Sequence, residues 1–301
     1  MPATTDDGRV SRRGLLAVGA VAALGGAGLL GVDQGLLPGR DRLFHALGHD
    51  GADGVVPSAR PGPVTSGSFV SAARLGTRVG WSIALPPGHH RRPLPVAVVL
   101  HGRGNDHASA FSGSYLALDR YLAAAVGSGV RPFALASVDG GETYWHDRAD
   151  GDRAATMVLD EFVPLLARHG LDTRRIGLLG WSMGGFGALY LAGRLGAERV
   201  AGVAVMSPAL WREYADAAPG AFDGERDFDA VGVVGRQDAL TGIPVRVDCG
   251  EGDPFCAATR DYVDGFSVRP AGGFELGDHD LGYWRRMAPA ELTFLGHSFA
   301  G

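Results

Sequence analysis

From Gly67 onward the chain alternates two kinds of hydrophobic pattern. Short apolar runs read as strands at Gly67–Ala72, Val79–Leu85, Val96–Leu100, Phe133–Val138, Ile176–Gly180, Gly202–Met206, Ile243–Asp248 and Phe266–Arg269. The runs at Val96–Leu100, Ile176–Gly180 and Gly202–Met206 are apolar throughout apart from glycine. A strand reads that way when both of its faces are covered, as in a parallel sheet. Pro244 and Arg246 interrupt the seventh run. Between the strands, helical spacing marks Tyr115–Val126, Arg153–His169, Met183–Leu195, Asp253–Val263 and Leu281–Leu295. In the second of these, Met157, Phe162, Leu165 and Leu166 fall on one face. Strands alternating with helices build right-handed crossover units, so the expected architecture is α/β, with a mostly parallel sheet covered on both faces. One catalytic-sized domain over residues 64–301 fits this pattern better than two.

The N-terminus follows a different rule. Residues 1–10 are polar, Ser11-Arg12-Arg13-Gly14 follows, and Leu15 to Val32 is an apolar run broken only by glycines. Paired arginines before a Gly/Ala-rich apolar stretch predict an export signal of the twin-arginine type over residues 1–32. An uncleaved membrane anchor is the alternative, because no clean A-x-A site follows the run. Either form places the protein outside the cytoplasm, secreted or associated with the cell envelope. Residues 33–63 carry Pro, Gly, Asp and His without sustained periodicity and read as a linker, with one short helix near Asp41–Leu47.

Composition narrows the chemistry. The 301 residues carry a formal charge of −5, and all 28 basic residues are arginine. No basic patch marks a nucleic-acid partner. Without lysine, neither a Schiff base nor a serine–lysine pair is available. Cys249 and Cys256, the two cysteines, lack zinc-ligand spacing, and no His/Cys cluster accompanies them. In an exported protein they would form a disulfide closing the loop between them; two buried thiols are the alternative.

The sharpest local signal is Gly180-Trp181-Ser182-Met183-Gly184-Gly185, a G-x-S-x-G placed between a buried strand and a helix. That turn holds a serine out of the carboxyl edge of the sheet, with the N–H of Met183 at a helix N-terminus facing an oxyanion. A serine hydroxyl needs a base, and the base needs an orienting acid. His279, in Gly277-Asp278-His279-Asp280 after the last expected strand, opens onto the same edge and is the candidate base. Its neighbours Asp278 and Asp280 read as local caps or solvated residues. Asp253, after the seventh strand, is the candidate acid, with Glu251 its rival. The chain order Ser182, Asp253, His279 is that of an α/β-hydrolase. His101-Gly102-Arg103-Gly104 suits a second oxyanion donor, the N–H of Arg103, whose side chain either steers an anionic substrate or points to solvent. Trp145 and His146, after the fourth strand, and Trp211, after the sixth, are candidate substrate contacts; Tyr144 is as readily a seal for the sheet end. The chemistry requires neither metal nor organic cofactor.

Together these pieces resemble the esterase D-like family of α/β-hydrolases, which includes secreted mycolyltransferase-type antigens and feruloyl-esterase-like enzymes. The resemblance runs through H-G-x-G at His101–Gly104, D-G-G-x-x-Y-W at Asp139–Trp145 and G-W-S-M-G-G-F-G-A-L at Gly180–Leu189. It continues through S-P-A-L at Ser207–Leu210, D-C-G-x-x-D-x-F at Asp248–Phe255 and G-D-H-D-x-x-Y-W at Gly277–Trp284. It implies an eight-stranded α/β-hydrolase fold, a triad of Ser182, Asp253 and His279, and oxyanion amides from Arg103 and Met183. The expected activity is hydrolysis of carboxylic esters, with a small-molecule, lipid or sugar ester as substrate. Two alternatives stand beside it: acyl transfer to a sugar or lipid alcohol, and a catalytically silent secreted protein that binds carbohydrate or matrix.

Overall fold

The computed structural model describes Gly48 and residues 50–88 and 93–300. The expected export segment, the expected helix near Asp41–Leu47, and His45, His49, His89 and His90 lie outside the described residues. Among the described residues, eight strands form one sheet: β1 (Val64–Ser71), β2 (Thr77–Ala84), β3 (Pro95–Leu100), β4 (Ala134–Val138), β5 (Asp172–Trp181), β6 (Val200–Met206), β7 (Val245–Gly250) and β8 (Ala271–Glu275). Their spatial order is β1-β2-β4-β3-β5-β6-β7-β8. The contacts β1/β2 and β2/β4 are antiparallel, and every later pair is parallel. This is the α/β-hydrolase architecture. The strands read as continuous apolar runs, β3, β6 and the second half of β5, lie at its centre, buried on both faces.

The helices divide between the faces. Helix α1 (Leu118–Gly127) and α6 (Leu281–Ser298) cover one side. They close a core of Leu118, Leu122, Phe133, Leu179, Trp181, Leu292 and Leu295. On the other side lie α2, which runs through Ala154–Thr156, a π-helical stretch Met157–Phe162 and Val163–Arg168, and α3 (Met183–Leu195). Their core includes Val98, Val158, Phe162, Leu178, Phe186 and Val203. Two short helices, α4 (Glu225–Val231) and α5 (Cys256–Asp264), complete the set used below.

Two expectations need correction. The segment Phe266–Arg269 is not a strand; β8 lies just beyond it, at Ala271–Glu275. The sequence Ala-Gly-Gly-Phe-Glu has no apolar run, and backbone pairing with β7 at the sheet edge holds it. The ring of Phe266 instead packs edge-on against Tyr262 at 5.2 Å. Helix α4, in the excursion between β6 and β7, has only Val231 buried, so its periodicity is too weak to read. The compact body also begins earlier than residue 64: it takes in Asp50 onward. The stretch from Asp50 to Pro63, read as linker, runs along the body, with Leu85 N–H donating to Pro63 O at 3.0 Å.

Candidate active site

The turn between β5 and α3 is built by close approach. Ser182 has φ 54° and ψ −123°, a strained conformation for a residue with a side chain. A Cβ on Gly184 would stand 1.9 Å from Leu100 O, and one on Gly180 would stand 2.1 Å from Gly184 O. Only glycine lets α3 start this close to β3 and β5. Ser182 N–H donates to Met206 O at 3.0 Å, and Ser182 O accepts from Ala209 N–H at 3.0 Å. The strain at Ser182 is therefore held by β6 and the segment after it. Met183 is the first residue of α3, so its N–H has no intrahelical acceptor and lies at the positive end of the helix.

Loops from three strands converge on this serine. His279 Nε2 lies 2.9 Å from Ser182 Oγ, and His279 Nδ1 lies 2.8 Å from Asp253 Oδ2. A carboxylate only accepts, so Nδ1 carries the proton and Nε2 is left to accept from the serine hydroxyl. Asp253 is 1% exposed, and its other oxygen accepts from Phe255 N–H at 2.8 Å. The rings of Phe255 and Trp284 stand edge-on to His279 at 5.1 and 5.2 Å. Glu251, the rival acid, pairs instead with Arg260 at 3.2 Å on the surface. Asp278 and Asp280 act locally: Asp278 Oδ1 accepts from His279 N–H, and Asp280 caps α6 by accepting from Tyr283 N–H, both at 2.8 Å.

The loop after β3 packs against the residue before the serine: a Cβ on Gly102 would stand 2.7 Å from Trp181 Nε1. Asn105 N–H donates to Gly102 O at 3.2 Å, a turn that leaves the Arg103 N–H outside its own bond. Three side chains to which the sequence reading gave no role fix this loop. His101 is fully buried; its Nδ1–H donates to Gly102 O at 2.8 Å, and Nε2 accepts from Gly140 N–H at 3.0 Å. Burial holds the His101 imidazole below its ordinary pKa, in the neutral form that this pairing requires. Asn105 Oδ1 accepts from both Trp181 Nε1 at 3.3 Å and Tyr115 Oη at 2.9 Å. The H-G-x-G spelling hinted at His101; nothing local pointed to Asn105 or Tyr115. The Arg103 side chain is half exposed and pairs with Glu142 at 3.0 Å.

The expected substrate contacts divide. Trp145 and His146 are each 0% exposed, which corrects their reading as pocket walls. Trp145 lies beneath the site, its Nε1–H donating to His101 O at 3.2 Å, with Gly140 and Gly187 pressed against its ring. His146 donates from Nε2 to Ala221 O at 3.0 Å and stacks on Phe222, fastening the excursion after β6. Both support loops, because an aromatic next to a glycine turn is as useful under a loop as beside a ligand. Tyr144 is also buried, 5.5 Å from Trp211. Trp211 is half buried and lines a cavity of about 330 Å³ with Phe186, Leu210, Phe222 and Phe228.

The disulfide expectation also needs correction: Cys249 and Cys256 are free, buried thiols. Burial pushes the Cys249 thiol well up, so it stays protonated. A hydrogen bond from Cys249, helped by Arg260, lowers Cys256 to about 7. The acid loop does not depend on a covalent clamp. Asp253 N–H donates to Gly250 O at 3.2 Å, Cys256 N–H to Asp253 O at 3.0 Å, and Gly252 N–H to Gly277 O at 2.8 Å. Among the described residues, no group of three or more His, Cys, Asp or Glu side chains could hold a metal ion.

Comparison with known proteins places this geometry. The Esterase family model, described as "Putative esterase", matches residues 72–294. No curated protein matches the sequence. Among solved structures, the chain is similar to a ferulic acid esterase at 19% identity and a TM-score of 0.68, covering 79% of this chain and 99% of that one. A fluorophosphonate-binding serine hydrolase of Staphylococcus aureus gives 19% identity and a TM-score of 0.63, again with 79% and 99% covered. An S-formylglutathione hydrolase from Agrobacterium tumefaciens gives 16% identity and a TM-score of 0.61, with 80% and 97% covered. At these identities the likeness establishes the shared fold.

Proposed function

Because this chain belongs to the Esterase family and is therefore a carboxylic ester hydrolase, we propose that it works through an acyl-enzyme on Ser182. The observation that carries this reading is the unbroken line from Ser182 Oγ through His279 to Asp253, with links of 2.9 and 2.8 Å. In this reading His279 Nε2 takes the hydroxyl proton as Ser182 Oγ bonds to the ester carbonyl carbon. The carbonyl oxygen, now an anion, is held by the N–H groups of Met183 and Arg103. Collapse of the tetrahedral intermediate expels the alcohol, which receives the proton from His279. Water then attacks the acyl-enzyme by the same route, and the acid leaves. Asp253 keeps the proton on Nδ1 and stabilises the imidazolium.

The substrate in this reading is a small-molecule ester whose apolar part meets the aromatic wall at Trp211. The Arg12-Arg13 pair and the apolar run after it support action outside the cytoplasm, secreted or held at the cell envelope. The test is hydrolysis of p-nitrophenyl esters from short to long acyl chains, with fluorophosphonate labelling and Ser182→Ala as control. Hydrolysis and labelling that both vanish in Ser182→Ala are the expected result. Ester turnover that survives Ser182→Ala overturns the acyl-enzyme. Product analysis with glycerol or trehalose present separates release of free acid from acyl transfer.

A further inference from the structure

The loop that carries His279 is gripped from two sides. On the inner side the acid loop holds it: Glu251 N–H donates to Glu275 O and Gly252 N–H to Gly277 O, both at 2.8 Å. On the outer side lies a segment that precedes β1 and precedes the residues matched by the Esterase family model, 72–294. Gly54 N–H donates to Gly282 O at 2.8 Å, in the first turn of α6. A Cβ on Gly54 would stand 2.1 Å from Arg286 N, so this strand of chain lies directly on the α6 backbone. The Asp53 side chain lies against the same turn of α6, 2.1 Å from where a Cβ on Gly282 would stand.

Arg286 joins the two. Its guanidinium donates from Nη1 to Ala52 O and from Nη2 to Leu276 O, and its Nε pairs with Glu275 at 3.3 Å. The guanidinium also lies over the Tyr283 ring, 5.2 Å from its centroid. One planar, fixed fork thus ties the N-terminal segment to the start of the His279 loop. Val56, further along the same segment, packs partly buried on the core that also takes Leu281 and Trp284.

We propose that residues 51–54 form a strap that positions His279, with Arg286 as the positioning residue that locks it. This rests on the reading of His279 as the base. His279 Nε2 meets Ser182 Oγ at 2.9 Å, and a shift of about 1 Å in such a contact can cost on the order of 10²-fold in rate. The strap touches neither serine nor aspartate, so it acts through the loop alone. Loosening it should lower kcat while leaving the cavity at Trp211, and hence KM, in place.

The experiment uses the full chain. Arg286→Ala and Gly54→Val are compared with wild type for kcat, KM and the rate of fluorophosphonate labelling, with folding checked by circular dichroism. The expected result is kcat and labelling rate lower by roughly 10-fold or more, with KM within about twofold. Glu275→Gln removes the ion pair but neither carbonyl bond, and should retain wild-type rates. Folded Arg286→Ala and Gly54→Val proteins that react at wild-type rates overturn the strap. A wild-type chain that labels with fluorophosphonate yet hydrolyses no ester overturns the esterase reading alone. The labelling rate still reports the Ser182–His279 pair in that case, and so still decides the strap.

Discussion

At the scale of single residues, the site depends on two kinds of atom: those that react and those that are missing. Asp253 is buried against His279, and its carboxylate is what keeps the imidazole proton on Nδ1. Asp253→Asn should lower kcat by about 10⁴-fold in steady-state ester hydrolysis, because an amide can present an N–H to Nδ1 and reverse the tautomer. A loss below tenfold would remove Asp253 from the mechanism. The missing atoms are the side chains at Gly180 and Gly184. A methyl at Gly184 would meet the Leu100 carbonyl at 1.9 Å, and backbone cannot yield as a flexible side chain does. Gly184→Ala should therefore destabilise the fold by about 1–3 kcal/mol in urea unfolding. Its G-x-S-x-G context was legible because glycine, serine and the flanking strand and helix are all neighbours in the chain.

At the scale of elements, the loops at the carboxyl edge are stapled to each other. His101, at the end of β3, bonds the loop after β4 through Gly140 and its own loop through Gly102. Burial holds its folded-state pKa below the ordinary 6.5, so the unfolded chain takes up the proton first as pH falls. The contribution of His101 is thus present above about 6.5 and is lost as pH drops through the lowered folded value. His101→Gln should cost stability at pH 7.5, and the gap to wild type should narrow at pH 5; urea midpoints at the two pH values test this. Trp145 and His146 show what a linear reading of a loop leaves out. Their position after β4 is correct for a binding wall. Whether an aromatic faces the ligand or supports the loop from below depends on what packs against it, here Gly140, Gly187 and Phe222.

At the scale of the molecule, a buried acid pair joins the sheet to α6. Glu291, fully buried on α6, faces Asp248 on β7, with Arg246 Nε 2.6 Å from Asp248 Oδ2 and 3.7 Å from Glu291 Oε2. Burial first, and the Asp248 charge second, hold the Glu291 carboxyl well above its ordinary 4.5. A carboxyl raised on folding contributes its stability in full below about 4.5 and loses it as pH rises toward the folded value. Glu291→Gln removes that titration, so the melting temperature of the variant relative to wild type should rise between pH 4.5 and pH 8. A difference that stays constant with pH would mean that Glu291 does not titrate differently on folding.

The strand–helix alternation, the three buried central strands and the G-x-S-x-G turn that presents Ser182 follow from the chain alone. Each depends on local periodicity or on residues adjacent in sequence, where sterics and hydrogen bonding act over a few bonds. Other features appeared only in three dimensions. The choice of Asp253 over Glu251 rests on a 2.8 Å contact across the sheet edge. Burial of Trp145 and His146, the thiol state of Cys249 and Cys256, the Asn105 anchor and the strap on α6 all join residues far apart in the chain. The same lies behind β8, a weak sequence made a strand by its neighbour. Burial and partnership are properties of what surrounds a residue, and only the folded chain determines that surrounding.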